Sequence, residues 1–194
     1  MKIENLCFSY FDDADEKKVF DGLNMQSDAK IICLMGPSGC GKTTLLHILA
    51  GILKPCGGTV SDFPERCAVM FQEDRLLPWL NAWGNVVLVD KATRRIRRNP
   101  DTEDRASALL RELGLDPEMP ISSMSGGMKR RVALARALAF EADALILDEP
   151  FKGLDEKLMK QCASLIAAQG KPVIVSTHSE AEALALGAEI VRLS

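Results

Sequence analysis

The 194-residue sequence is 47% apolar and 26% charged with a formal net charge of −3, a balance of ordinary globular chains that gives no support to a nucleic-acid partner. A chain of this length can bury roughly 70% of its unfolded surface as one domain, so neither a disulfide framework nor a structural metal is needed to hold it together. The longest uncharged stretches, residues 43–53 and 76–89, fall short of the ~18 residues of a membrane-spanning helix, which excludes a spanning segment.

The chain opens Met1-Lys2-Ile3-Glu4-Asn5, without the basic-then-apolar layout of a secretory signal, so a cytosolic location is the expectation. Residues 3–10 alternate imperfectly between apolar and polar, residues 12–16 form an acidic exposed turn, and residues 18–20 follow; an antiparallel β-region is expected here. Tyr10 is the only tyrosine and precedes the next motif by 26 positions. Two readings stand for it: a half-buried strand residue, or an aromatic ring placed to stack on a base.

Residues 31–35 are an apolar, partly β-branched run that predicts a buried strand, and residues 44–50 predict a helix. Between them lies Gly36-Pro37-Ser38-Gly39-Cys40-Gly41-Lys42-Thr43, which fits GxxxxGK[ST]. Strand, glycine loop and helix in that order make a phosphate cradle, because loop N–H groups and the positive end of the helix dipole point at one small volume. Glycines let the backbone close on an anion, Lys42 supplies a point charge for β- and γ-phosphates, and the Thr43 hydroxyl is a ligand for Mg²⁺.

Pro55, Gly57 and Gly58 then form a turn cluster, and residues 67–71 predict a second buried strand that ends at Gln72. Residues 75–139 predict a mainly helical insertion, broken at Asn99-Pro100 and again at Gly114 and Pro117. Its basic run Arg94, Arg95, Arg97, Arg98 is expected to be a solvated helix face, with a membrane-surface role as the alternative. Residues 122–128 form a polar, glycine-containing loop ahead of a helix over 129–140, and Ser125 is placed to cap that helix. With Gly126 and Gly127 it makes a second anion-seeking helix start.

Residues 144–147 predict a third buried strand, delivering Asp148 and Glu149, and residues 173–177 a fourth, delivering His178. Polar residues thus collect at the carboxyl ends of apolar strands, where open parallel α/β sheets bind ligands. The six cysteines contain no CxxC pair and lie mostly in apolar segments, which predicts reduced core thiols, with Cys40 in the glycine loop as the exception.

The glycine loop alone fits kinases, GTPases or helicases. The ordered set Gln72, Met124-Ser125-Gly126-Gly127-Met128, Leu145-Ile146-Leu147-Asp148-Glu149-Pro150, Gly153-Leu154-Asp155 and Ser176-Thr177-His178 resembles the ATPase subunit of ABC transporters, from about Tyr10 to Ala185. The resemblance implies a P-loop NTPase core with a mainly parallel sheet, an N-terminal antiparallel β-region and a helical subdomain of about residues 75–139 within one domain, the core being about 1–74 and 140–194. It implies that ATP is bound by Tyr10 stacking on adenine, by Gly36, Pro37, Ser38, Gly39, Cys40, Gly41, Lys42, Thr43 and Thr44, and across a dimer by Ser125, Gly126, Gly127 and Asp155. It further implies Mg²⁺ held by Thr43, Gln72 and Asp148, and hydrolysis served by Glu149, which orients water, by His178 at the γ-phosphate, and by Gln72. Relative to the family's LSGGQ, Met124 conserves volume and Met128 lacks the amide of Gln.

Residues 71–79, Phe-Gln-Glu-Asp-Arg-Leu-Leu-Pro-Trp, resemble importers of the nitrate, sulfonate and taurine group. The implied partners are a second copy or a like subunit, membrane permease subunits and an extracytoplasmic substrate-binding protein, with the chain peripheral on the inner face of the cell membrane and no nucleic acid. Part of residues 76–79 is expected to form an exposed groove for a short permease helix, with core filling by Trp79 and Trp83 as the alternative. The chain closes about sixteen residues after His178, which implies a minimal engine without an added C-terminal regulatory domain. Two other classes share some of these motifs: soluble ABC ATPases of DNA repair or translation, and simple P-loop kinases, which have no use for the Ser125 loop or His178.

Overall fold

The computed structural model describes residues 1–12, 15–93 and 100–193. Strands β1 (Lys2–Asp12) and β2 (Asp15–Gln26) form a long antiparallel hairpin, and β3 (Ile31–Met35) leads through the glycine loop to α1 (Lys42–Leu49). Then come β4 (Gly57–Ser61), β5 (Cys67–Met70), α2 (Ala82–Thr93), α3 (Pro100–Glu112), a 3-10 turn at Ile121–Ser123 and α4 (Gly126–Ala139). The chain closes with β6 (Ala144–Asp148), α5 (Glu156–Ala167), β7 (Val173–Ser176), α6 (Glu180–Leu186) and β8 (Glu189–Arg192). One sheet is antiparallel in the order β2-β1-β4; the other runs β5-β6-β7-β3-β8 with every pairing parallel. The α/β class with an N-terminal antiparallel region, expected from the sequence, is the class observed.

The parallel strands are apolar runs because both their faces are covered. Successive residues of β6 split between two cores: Ile146 packs with Ile174, Leu45, Leu46 and the hairpin residues Ile3, Leu6 and Phe20, whereas Leu145 and Leu147 pack with Leu134, Leu138, Cys162 and Ile166. Helix α1 therefore lies between the two sheets, and α4 and α5 cover the opposite face. Helices α2 and α3 pack on α4, and their Val86, Ala106 and Leu110 belong to the same buried cluster as the sheet residues. The helical segment and the sheet share one core.

Two strands were not foreseen. Gly57 and Gly58, expected in a turn cluster with Pro55, instead open β4, which pairs with β1, Ile3 opposite Val60 and Glu4 opposite Thr59. Strand β8 is a mostly exposed edge with no apolar run to mark it, held beside β3 by a register from Ile32/Glu189 to Met35/Arg192. The acidic residues 12–16 are also less of a turn than expected: β1 continues to Asp12 and β2 resumes at Asp15, with Phe11 opposite Glu16. The basic run Arg94, Arg95, Arg97 and Arg98, and Asn99 at the foreseen break, lie outside the described residues; Pro100 is the first residue of α3, a position that suits its fixed φ.

The six cysteines are unpaired. Burial pushes the thiols of Cys33, Cys67 and Cys162 up to about 11, so they stay protonated at neutral pH. Cys56 departs from the core reading and is exposed.

Candidate active site

At the carboxyl ends of β3, β5, β6 and β7 the chain encloses a cleft of about 250 Å³. The hairpin contributes Tyr10, Lys17 and Val19, the glycine loop and α1 contribute Ser38, Gly39, Gly41, Lys42, Thr43 and Thr44, and the other strand ends contribute Gln72, Asp148, Glu149 and His178.

The loop geometry requires its glycines. Gly41 caps α1 at φ 97, where a Cβ would come within 2.8 Å of Val19 and Phe20 of β2, and a Cβ on Gly36 would sit 2.4 Å from the Leu193 carbonyl. Helix α1 has no side-chain cap and no acidic residue in its first turn, so no group of the helix itself offsets the positive end of its dipole at the cleft. Lys42 is buried, and its Nζ donates to the carbonyls of Gly36 at 2.8 Å and Pro37 at 3.0 Å, which anchors the ammonium at the loop. Gly36, Pro37 and Cys40 stand behind the lining; the Cys40 Sγ is 3.9 Å from that Nζ.

Asp148 and Glu149 are adjacent but serve different partners. Asp148 is buried; its Oδ2 accepts from Thr43 Oγ1 at 2.7 Å and its Oδ1 from Ser176 Oγ. Ser176 is in register with Asp148 across β6 and β7. Glu149 leaves the strand at φ 49, with its N–H donating to the Ser176 carbonyl at 3.1 Å and Oγ at 3.0 Å. That turn, more than strand alternation, separates the two carboxylates. Glu149 Oε1 lies 3.1 Å from His178 Nε2, and Oε2 lies 3.6 Å from Lys152 Nζ. Tyr10 is half exposed on the cleft wall, edge-on to Phe8 with centroids 4.9 Å apart and its hydroxyl 3.2 Å from Thr44 Oγ1.

The four residues expected to serve the nucleotide across a dimer lie outside this cleft. Ser125 Oγ accepts from Met128 N at 3.3 Å and caps α4, and Gly126 and Gly127 form the first turn of that helix, Gly127 against the Gly153 carbonyl. Asp155 caps α5, accepting from Leu158 N at 2.9 Å, beside Glu156, Lys157 and Lys160. Within one copy these residues are not part of the cleft lining. Met124 is buried and Met128 packs partly against the core, so apolar contact replaces the amide there.

Among the described residues no cluster of three or more His, Cys, Asp or Glu side chains would hold a metal alone. The Thr43 hydroxyl, the Asp148 carboxylate and the exposed Gln72 amide all bring hard oxygen donors to the cleft lining, the first two in direct contact. That set fits a cation such as Mg²⁺, which keeps waters and shares ligands with phosphate oxygens, and does not fit a soft metal.

Several residues of the site escaped the sequence reading. Lys17 stands opposite Tyr10 in the hairpin register, and Lys152 reaches Glu149, but exposed lysines carry no pattern in a sequence. Arg130 is buried on α4 and bonds the backbone at both Gln72 and Glu149. Its signal was present: it stands three and four residues before the buried Ala133 and Leu134, a charge on an apolar stripe.

Residues 21–152 match the family model described as ABC transporter. The taurine import ATP-binding protein TauB of Pseudomonas aeruginosa is 43% identical over 176 residues, which cover 82% of this chain and 65% of that protein. The aliphatic sulfonates import ATP-binding protein SsuB 2 of Paraburkholderia xenovorans is 42% identical over 178 residues, 89% of this chain and 70% of that one. The chain thus spans about two thirds of the length of these curated relatives. Among solved structures, the dimeric post-hydrolysis state of the ATP-binding cassette MJ0796 bound to ADP and Pi gives a TM-score of 0.86 at 27% identity, over 100% of this chain and 94% of that one.

Proposed function

This chain belongs to the ABC transporter family, and from that premise we propose that it binds and hydrolyses ATP as the nucleotide-driven subunit of an importer whose membrane permease is a separate chain. The observation that carries the reading is the convergence, in one cleft, of an uncapped helix start with Lys42, a buried Asp148 bonded to Thr43, and a separate carboxylate, Glu149, beside His178.

The residues divide the work. Tyr10 stacks on the base, residues 36–44 and the α1 dipole hold the phosphates, and Lys42 moves from its loop carbonyls toward the β- and γ-phosphate oxygens. Glu149 orients a water in line with the γ-phosphate and takes its proton, while His178 fixes the Glu149 carboxylate and faces the γ-phosphate. Gln72 contributes its amide to the same water. Mg²⁺, held by Thr43, Asp148 and Gln72, would neutralise charge on the β- and γ-phosphate oxygens.

Ser125, Gly126, Gly127 and Asp155 serve the nucleotide of a second copy, or of a like subunit, in a two-fold pairing. The similarity to a dimeric cassette supports this, as does the fact that these residues do not line their own cleft. Trp79, 75% exposed beside the Gln72 loop, marks the face for the permease. No helix of the described residues is long and apolar enough to cross a membrane. In this reading the permease contact attaches the chain at the inner face. Relatives named for taurine and aliphatic sulfonate import favour a small solute bearing a sulfonate group, delivered from outside by a binding protein and contacted by other chains. The reading as a DNA-repair or translation ATPase has no observation in its favour.

Phosphate release from Mg-ATP by the purified chain tests the activity directly. In Lys42→Ala, ATP affinity measured by calorimetry is expected to fall by at least about tenfold, the effect of about 1.4 kcal/mol of lost phosphate contact; unchanged affinity would remove the phosphate cradle.

A further inference from the structure

Strands β5 and β6 are neighbours, with Met70 opposite Leu147, so the segment bearing Gln72 and the turn bearing Glu149 emerge side by side. What joins them is a side chain from a third element. Arg130, about one turn into α4 and almost fully buried, donates through Nη1 to the carbonyls of Phe71 at 2.9 Å and Gln72 at 3.1 Å and to Asp74 Oδ1 at 2.9 Å. Through Nε and Nη2 it donates to the Glu149 carbonyl at 3.1 and 2.9 Å, and through Nη2 also to the Asp148 carbonyl.

We propose that Arg130 is a positioning residue for hydrolysis, fixing the Gln72 segment and the Glu149 turn relative to each other and to the Ser125 end of α4. Glu149 sits at φ 49, a conformation that a non-glycine residue keeps only when its surroundings over-determine it. Its N–H is held by Ser176 and its carbonyl by Arg130, so the fork on α4 closes one side of the clamp that aims the carboxylate. The rigid, planar guanidinium suits this role: it reaches two chain segments at once, and Asp74 compensates its charge. Because α4 begins at the Ser125 loop, Arg130 also ties the part of the chain that meets the second copy's nucleotide to the chain's own Glu149. This last step rests on the proposed pairing.

The test is Arg130→Lys, which keeps the charge and loses the fork, with Asp74→Asn as a milder variant on a partly exposed side chain. In Arg130→Lys, kcat is expected to fall by at least about tenfold, since misplacing a reacting group by about 1 Å can cost about 10²-fold. KM for ATP and ATP-driven pairing by gel filtration are expected to stay within about twofold, a split that a merely structural residue does not give. If Arg130→Lys does not fold, Asp74→Asn decides, with kcat lowered and KM unchanged supporting the proposal. Unchanged kcat in the variant that folds, or equal losses of kcat and ATP affinity, overturns it. An unmodified chain without ATPase activity overturns this proposal together with the functional reading, whereas full activity in Arg130→Lys overturns this proposal alone.

Discussion

Glu149 carries a backbone strain of about 1–3 kcal/mol, the usual cost of a non-glycine residue in the left-handed region, and two hydrogen bonds from its own N–H offset part of it. The strain has a use: it turns the carboxylate away from the Thr43–Asp148 pair and toward His178. Glu149→Gln keeps the size and the turn but cannot accept a proton. Hydrolysis is expected to fall by about 10²- to 10⁴-fold, while ATP binding measured by calorimetry stays intact. A normal turnover rate in that variant would take Glu149 out of its role. Most of these residues were legible in the sequence, because Lys42, Asp148, Glu149 and His178 each follow an apolar strand or a glycine motif. Arg130 and Lys152 were not, since their importance lies in backbone carbonyls and a carboxylate that only the folded chain brings within reach.

At the level of elements, legibility followed burial. Strands β3, β6 and β7 stood out because covering both faces demands unbroken apolar runs. Strand β4 did not, because its glycine pair imitates a turn, and β8 did not, because an exposed edge tolerates polar residues. The two tryptophans separate in the same way. Trp83 packs against the core, whereas Trp79 projects from a segment fixed by buried Asn85, which accepts from Leu77 N at 2.7 Å and donates to the Leu77 carbonyl at 3.1 Å. These bonds hold Leu77, two residues before the exposed Trp79. Trp79→Ala is expected to change stability by no more than about 0.5 kcal/mol and to leave hydrolysis by the isolated chain unchanged. Transport by the assembled complex in vesicles is expected to be lost. Global unfolding of the variant, seen by circular dichroism, would return Trp79 to the core.

For the whole molecule the central claim is that one copy is half of each working site. The cleft of a single copy supplies Lys42, Asp148, Glu149 and His178, while Ser125 and Asp155 are spent as caps on α4 and α5 beyond its lining. A two-fold pairing would offer each copy's Ser125 loop to the other's phosphate cradle in a self-complementary contact. The most direct measurement is the ATPase rate of a purified heterodimer of Lys42→Ala with Ser125→Arg, each inactive as a homodimer. In that species one composite site carries both lesions and the other carries none, so part of the native rate is expected to return. If Lys42 and Ser125 act within one copy, each site keeps a lesion, and a heterodimer verified by differential tags yet without hydrolysis would contradict the paired site.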